Sequence, residues 1–333
     1  MRDKYGIETH KLMLHPCRVC EWLEEGDTFP IFVEICPINA CNHFCTFCAY
    51  NYLEFTGAKL DYDVLTNTLD DMAMNGLKAV DWDAQGEPLM HPRMPDILNY
   101  AKSIGLDNGL ETNGVLLTKE IAEKCLHSCT YAKFSIDAAT PETHYKIHRG
   151  RKDDFEKIIK NIQDCVDLNT GCTIGAQMLL LKENEDEAHQ FVDMMNDIGV
   201  DWVAIKPFSK HPLQDDSLVH PGDFNKVKDI KNAIVRGTTA SRLEYEREYD
   251  TCYGINFLSN IDAHGNVTIC NTLTGRDDWV LGNIYKDKFS NIWKNRKIRE
   301  YPVSECVRKI CKMDKPNAYL WKLKHPHPHV NFI

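Results

Sequence analysis

Three cysteines, Cys41, Cys45 and Cys48, stand in a C-x3-C-x2-C array directly after the apolar run Ile31-Phe32-Val33-Glu34-Ile35. Thiolates are soft ligands, and a compact set of them selects iron–sulfur clusters or zinc. A complete 4Fe-4S site normally uses four cysteines. This loop offers three, so a cluster held here leaves one iron open to another ligand. Zinc is the competing reading, because His43 lies inside the loop and would complete a four-ligand structural site. A second set of thiols lies towards the carboxyl end: Cys252, Cys270, Cys306 and Cys311, with Cys252, Gly265 and Cys270 spaced C-x12-G-x4-C.

The elements that must position these residues show in the hydrophobic pattern. Strand-like apolar runs alternate with helix-period stretches six times from residue 31 onward. The strands fall near 31–36, 78–83, 107–112, 131–136, 172–181 and 200–206. The helices fall near 61–75, 92–103, 118–126, 153–168, 184–198 and 221–236. Asp61 is placed to cap the first helix and Gly76 to end it, with Val64, Leu65, Leu69 and Met72 on one face. Asn184 with Glu187 reads as a capping-box start, and Gly199 as the end of that helix. Such alternation predicts parallel strands joined by right-handed crossovers, an α/β fold forming a (β/α)6 partial TIM barrel. Active sites of such barrels lie at the carboxyl ends of the strands. The chemistry-bearing segments fall there: the cysteine loop, Gln85-Gly86-Glu87-Pro88, Glu111-Thr112-Asn113-Gly114, and Ser135-Ile136-Asp137 leading through His144 to Arg149-Gly150.

The three-cysteine loop, with Phe47 before its last cysteine, resembles that of the radical S-adenosylmethionine (SAM) superfamily. The motifs after strands two to four follow in the family's order. The resemblance implies that Cys41, Cys45 and Cys48 carry a 4Fe-4S cluster whose open iron chelates SAM. Reductive cleavage of SAM then gives a 5′-deoxyadenosyl radical. Gln85-Gly86-Glu87-Pro88 resembles the family's G-G-E-P motif with Gln85 in its first position; Gly86 and Glu87 would serve the methionyl group. Thr112 and Asn113 match the sugar-contact region. Ser135 and Asp137 hold the fourth-strand position reaching the ribose or carboxylate, and Arg149 is expected to pair with the SAM carboxylate.

The carboxyl-terminal region resembles the auxiliary-cluster domains named SPASM and, in shortened form, Twitch. The marks are the Gly265-x4-Cys270 hairpin with its His264-Gly265-Asn266 turn, Leu281-Gly282-Asn283-Ile284, and Ile292-Trp293. Four cysteines imply one auxiliary 4Fe-4S cluster on Cys252, Cys270, Cys306 and Cys311, the Twitch form. The loose C-x4-C spacing leaves open that Cys306 or Cys311 is not a ligand, and four thiolates also suit zinc. The expected organisation is an extension at 1–30, the barrel at 31–240, the auxiliary domain at 245–320 and a tail at 321–333. The charged run Glu244-Tyr245-Glu246-Arg247-Glu248 marks the approach to the second unit.

The 333 residues carry a formal net charge of −10 and a pI of about 5.8. That balance lacks the basic footprint of a nucleic-acid binder. No apolar run reaches membrane-spanning length and no leader is apparent, so a cytoplasmic location is expected. Fourteen cysteines in a reducing compartment point to metal ligation for the clustered ones. Cys125, Cys129, Cys165 and Cys172 read as buried small hydrophobes, and Cys17 and Cys20 as packing or silent thiols. Lys206 ends the sixth strand and reads as solvated, with anion binding or proton transfer as alternatives.

The resemblance implies hydrogen-atom abstraction from a small polyol, aminocyclitol or sugar. The favoured outcome is oxidation of an alcohol to a ketone, the auxiliary cluster taking the electron. Epimerisation, which needs a thiol donor such as Cys36, and peptide maturation are the alternatives; an iron–sulfur electron carrier is the non-enzymatic one. A flavodoxin- or ferredoxin-type donor is the expected partner.

Overall fold

The computed structural model describes residues 3–7, 9–83, 85–211, 213–236, 247–306 and 311–332. Glu244–Glu246 of the charged run lie outside them. Helix α1 (Pro16–Glu25) precedes β1 (Phe32–Ile35). Then come α2 (Tyr62–Met74), β2 (Ala79–Trp82), α3 (Met94–Ser103), β3 (Asp107–Thr112) and α4 (Lys119–Cys125). Next are β4 (Tyr131–Ser135), α5 (Pro141–His148), α6 (Asp154–Leu168), β5 (Thr173–Leu180), α7 (Ala188–Ile198) and β6 (Trp202–Pro207). Short strands β7 (Ile234–Val235), β8 (Thr251–Cys252), β9 (Leu258–Ile261), β10 (Asn266–Thr268) and β11 (Gly282–Asn283) follow. Helix α8 (Phe289–Asn295), β12 (Tyr301–Pro302) and α9 (Asp314–Lys324) end the chain. No helix among the described residues is long and apolar enough to cross a membrane.

The six expected strands are present and parallel, but the sheet they form has ten strands, ordered β11-β10-β9-β1-β2-β3-β4-β5-β6-β7. Strand β9 from the carboxyl-terminal region lies parallel to β1 in the register Phe32↔Leu258 to Ile35↔Ile261. The predicted hairpin forms from β9 and β10, with Gly265 at a φ of 82° and both His264 N and Asn266 N donating to Asp262 Oδ1. The auxiliary region is therefore hydrogen-bonded to the strand that feeds the cysteine loop. Ser290 N and Oγ on α8 donate to Asp71 on α2 at 2.7 and 2.8 Å, which fastens the two units on their helical side.

The helices cover the outer face. Asp61 caps α2 as expected, accepting from Asp63 N and Val64 N, and Leu65, Leu69 and Met72 are fully buried. Burying each side chain of that size is worth roughly 1.5–3 kcal/mol. Three expectations are corrected. The helix read over 221–236 is a single turn at Phe224–Lys226, because Ile234–Val235 leaves helical conformation to pair with β6, after Asn232 at a φ of 62°. Asn184 and Glu187 do not cap α7. Asn184 instead bonds Leu181 N, Leu179 O and Asp137 O, while Glu187 accepts from Ala139 N and Thr140 Oγ1, so the pair pins the loop after β4. The termini are also less separate than the pattern suggested. Leu12, Val19 and Trp22 from the first 30 residues pack with Tyr253, Phe257 and Leu320 of the carboxyl-terminal region. Helix α9 extends to Lys324, into the stretch read as tail.

Candidate functional site

The strands end around a cavity of about 500 Å³. Cys41, Cys45 and Cys48 line it, together with Gly86, Glu87, Thr112, Asn113, Ser135 and Asp137. The strand-end residues of four successive strands thus share one space. Arg149 does not join them: it ends α5 in a left-handed conformation, φ 52°, and is exposed.

The cysteine loop is clipped at both flanks. Phe44 N and Thr46 N each donate at 2.9 Å to the last carbonyls of α5, those of His148 and Ile147. On the other flank Glu87 N donates to Ala40 O at 2.8 Å. A Cβ on Gly86 would run into the carbonyl oxygens of Ile38 and Ala40, so glycine is what lets the β2 loop lie against the cysteine loop. Gly86→Ala is therefore expected to displace the cysteine loop and lower its bound iron several-fold, on the scale of roughly tenfold for disturbed outer contacts. Iron per chain and SAM affinity check this; a variant with full iron and unchanged affinity would contradict it.

Glu87 is buried and acts between loops. Its carboxylate accepts from Thr112 Oγ1 at 2.7 Å, Asn113 N at 2.8 Å and Leu89 N at 3.2 Å. Burial pushes its pKa up to about 7, against those hydrogen bonds. Asn113 Nδ2 donates at 2.7 Å to Asn42 Oδ1, so the third strand's loop also touches the cysteine loop. Asp137, at a φ of 57°, holds Leu179 N and faces His148 Nε2 at 3.3 Å. The pattern did not single out His148, which the structure does: its Nε2 lies 2.9 Å from Ile136 O and its Nδ1 3.2 Å from Cys45 Sγ. The two histidines four apart, His144 and His148, on a capped helix were the available signal.

Which group do the thiols fit? Burial raises the pKa of all three, Cys41 to about 11; the neighbouring Cys41 and Cys48 thiols raise that of Cys45 further. They therefore bind only a group able to displace their protons. Tetrahedral zinc holds sulfurs about 3.8 Å apart. Among the described residues, no three of these ligand atoms, nor of the carboxyl-terminal thiols, lie within 4.8 Å of one another. His43 turns its Nε2 to Asp154 Oδ2 at 3.2 Å and packs against His144 and His148, so it does not complete a zinc set. Three soft thiolates on one loop, with no fourth protein ligand supplied by His43, fit an iron–sulfur cluster with one open iron.

The second set is likewise gathered. Burial is the main cause that raises the Cys252 thiol, followed by the neighbouring Cys311, Cys270 and Cys306 thiols. Asn317 Nδ2 lies 3.2 Å from Cys252 Sγ, and Thr272 Oγ1 3.2 Å from Cys270 Sγ. Cys311 lines the same cavity as Cys41, Cys45 and Cys48. Cys36 does not: it is fully buried, bonded to Ile38 O and pushed up to about 12 by burial. Cys125, Cys129 and Cys165 are buried as expected, Cys172 is half-buried rather than buried, and Cys17 and Cys20 are exposed on α1.

Below the loops the cavity wall is charged. Glu34, Asp81, Asp83 and Glu111 come from the β1–β3 side; Lys133, Lys206 and Arg236 come from the β4–β7 side. Lys312, next to Cys311, reaches in to pair with Glu34, and Lys133 pairs with Glu111. Lys206 is not solvated: burial, then Lys133, lowers its pKa to about 8.

The model of the radical SAM superfamily matches residues 35–195, and that of the iron–sulfur cluster-binding SPASM domain matches residues 252–317, which include all four carboxyl-terminal thiols. The tungsten-containing aldehyde ferredoxin oxidoreductase cofactor-modifying protein of Pyrococcus furiosus is 25% identical, over 80% of this chain and 81% of its own. The AdoMet-dependent heme synthase of Methanosarcina barkeri is 26% identical, over 84% and 89%. GTP 3′,8-cyclase of Chlorobaculum tepidum is 28% identical, but the chain spans only 56% of its length. Among solved structures, Streptococcus suis SuiB bound to precursor peptide SuiA superposes with a TM-score of 0.67 over 95% of this chain and 78% of its own, at 16% identity.

Proposed function

Because the chain belongs to the radical SAM superfamily and carries a carboxyl-terminal SPASM domain, we propose that it oxidises a polar substrate by hydrogen-atom abstraction, the auxiliary site taking the second electron. When bound, SAM and its cluster supply the one-electron chemistry that generates the abstracting radical. Cys41, Cys45 and Cys48 would hold that cluster, and Cys252, Cys270, Cys306 and Cys311 the auxiliary one. Glu87, Thr112 and Asn113 fix the loops around the first. Ser135 and Asp137 stand where they can meet SAM.

One observation carries the choice of outcome. Among the described residues, the only thiols lining the cavity are Cys41, Cys45, Cys48 and Cys311, each assigned here to a cluster. An epimerase needs a spare thiol to return a hydrogen atom; Cys36, Cys17 and Cys20 do not line this space. Oxidation needs an electron acceptor nearby, and Cys311 belongs to one. After losing a hydrogen atom, the substrate loses one proton to a base in the wall and one electron towards the Cys311 site, giving a ketone from an alcohol. A flavodoxin- or ferredoxin-type protein would supply the electron that starts the cycle.

A peptide substrate is the second reading. The mycofactocin maturase of Mycobacterium tuberculosis is 22% identical over 85% of this chain. Anaerobic incubation with SAM, reductant and a panel of aminocyclitols, sugars, polyols and peptides tests both. Deoxyadenosine with a product two hydrogens lighter from a small polar compound supports the first reading. Turnover of peptides alone would replace it with the second.

A further inference from the structure

The cavity wall holds two poles, acidic and basic, at which polar atoms lack a partner among the described residues. On the β1–β2 side, Glu34, Asp81 and Asp83 each bring a carboxylate oxygen within 4.8 Å of the others. Glu34 is 3% exposed; one oxygen pairs with Lys312 and the other, Oε2, is buried with no partner. Asp83 Oδ1 is likewise buried without a partner, while Asp81 Oδ1 accepts from Tyr131 at 2.8 Å. Across the cavity Lys206 makes no hydrogen bond or ion pair with any described residue. Burial and the cations of Lys133 and Arg236 disfavour its charge. Buried polar groups without partners are costly, and each calls for a ligand, ion or water to complete it.

We propose that the substrate, under the oxidative reading above, is zwitterionic: an amino group docks against Glu34, Asp81 and Asp83, and an anionic group against Lys206. An ammonium has three N–H donors and no acceptor, which matches three converging carboxylates. Lysine is a compact point charge suited to a carboxylate or phosphate. A substrate so held at both ends presents its middle to the space beneath the cysteine loop. Lys312 lies beside both Glu34 and Cys311, so the docked amine also lies next to the auxiliary site.

The test reads binding in the cluster-loaded protein with SAM present, without turnover. The probes are 6-aminohexanoate, hexanoate and hexylamine, followed by ligand-observed NMR, with Mn²⁺ titrated separately by electron paramagnetic resonance. The zwitterion is expected to bind at least roughly tenfold more tightly than either single-charge probe. Asp83→Asn is expected to remove the advantage over hexanoate, and Lys206→Met the advantage over hexylamine. Asp83 makes no side-chain hydrogen bond to a described residue, so its change spares the fold; circular dichroism and iron content confirm this. Glu34→Gln supplies an independent variant at the same pole. Equal binding of the three probes, no binding of any, or unchanged affinity in all the variants would overturn the proposal. So would tight Mn²⁺ binding lost in Asp83→Asn, which would make the carboxylates a metal site. Deoxyadenosine formation, measured separately, judges the radical reading whatever the binding result.

Discussion

Replacing Cys41, Cys45 and Cys48 together by Ala is expected to lower deoxyadenosine formation by well over a hundredfold. Loss of outer partners of a metal site alone costs roughly 10–100-fold, and this change removes every protein ligand. The thiols are half-buried, on one loop that is hydrogen-bonded on both flanks, so the fold around them should persist. Binding of iron should fall by one cluster per chain while the carboxyl-terminal cluster remains. Undiminished SAM cleavage in this variant would sink the assignment.

The second large effect concerns Cys311. Among the described residues it is the one carboxyl-terminal thiol in the cavity wall, and its neighbour Lys312 is tied to Glu34 on β1. Cys311→Ala should leave SAM cleavage within roughly tenfold of the parent, since the first cluster is untouched. Oxidised product should fall by more than roughly a hundredfold. Equal losses of deoxyadenosine and product would mean that Cys311 serves the fold or the first cluster. Full product with full cleavage would mean that another route accepts the electron.

Much of this arrangement is legible in the sequence. The strands β1 to β6 alternate with helix-period stretches, and each begins and ends within about two residues of expectation. The site loops were found because parallel strands must deliver their chemistry at one end. What was not legible had non-local causes. Strands β7 and β9 to β11 have two to four residues each, too few to show a period, and β9 joins β1 across more than two hundred positions of chain. Asn184 and Glu187 have the residue types of a helix cap, yet tertiary bonds to the β4 loop claim their side chains. Arg149 follows a motif in sequence order, but a left-handed backbone at the end of α5 turns it to solvent. Glu87 lines the cavity as its motif implies, but its three hydrogen bonds, which also tie strand two to strand three, have partners that no local pattern shows.

The most direct measurement is the product's oxidation state and label after anaerobic turnover in deuterated water. With SAM, reductant and a substrate that supports deoxyadenosine formation, the product should be two hydrogens lighter, with no solvent deuterium at the attacked carbon. A product of unchanged oxidation state carrying deuterium at an inverted carbon would contradict the account. It would make Cys311 a hydrogen-atom donor and the enzyme an epimerase.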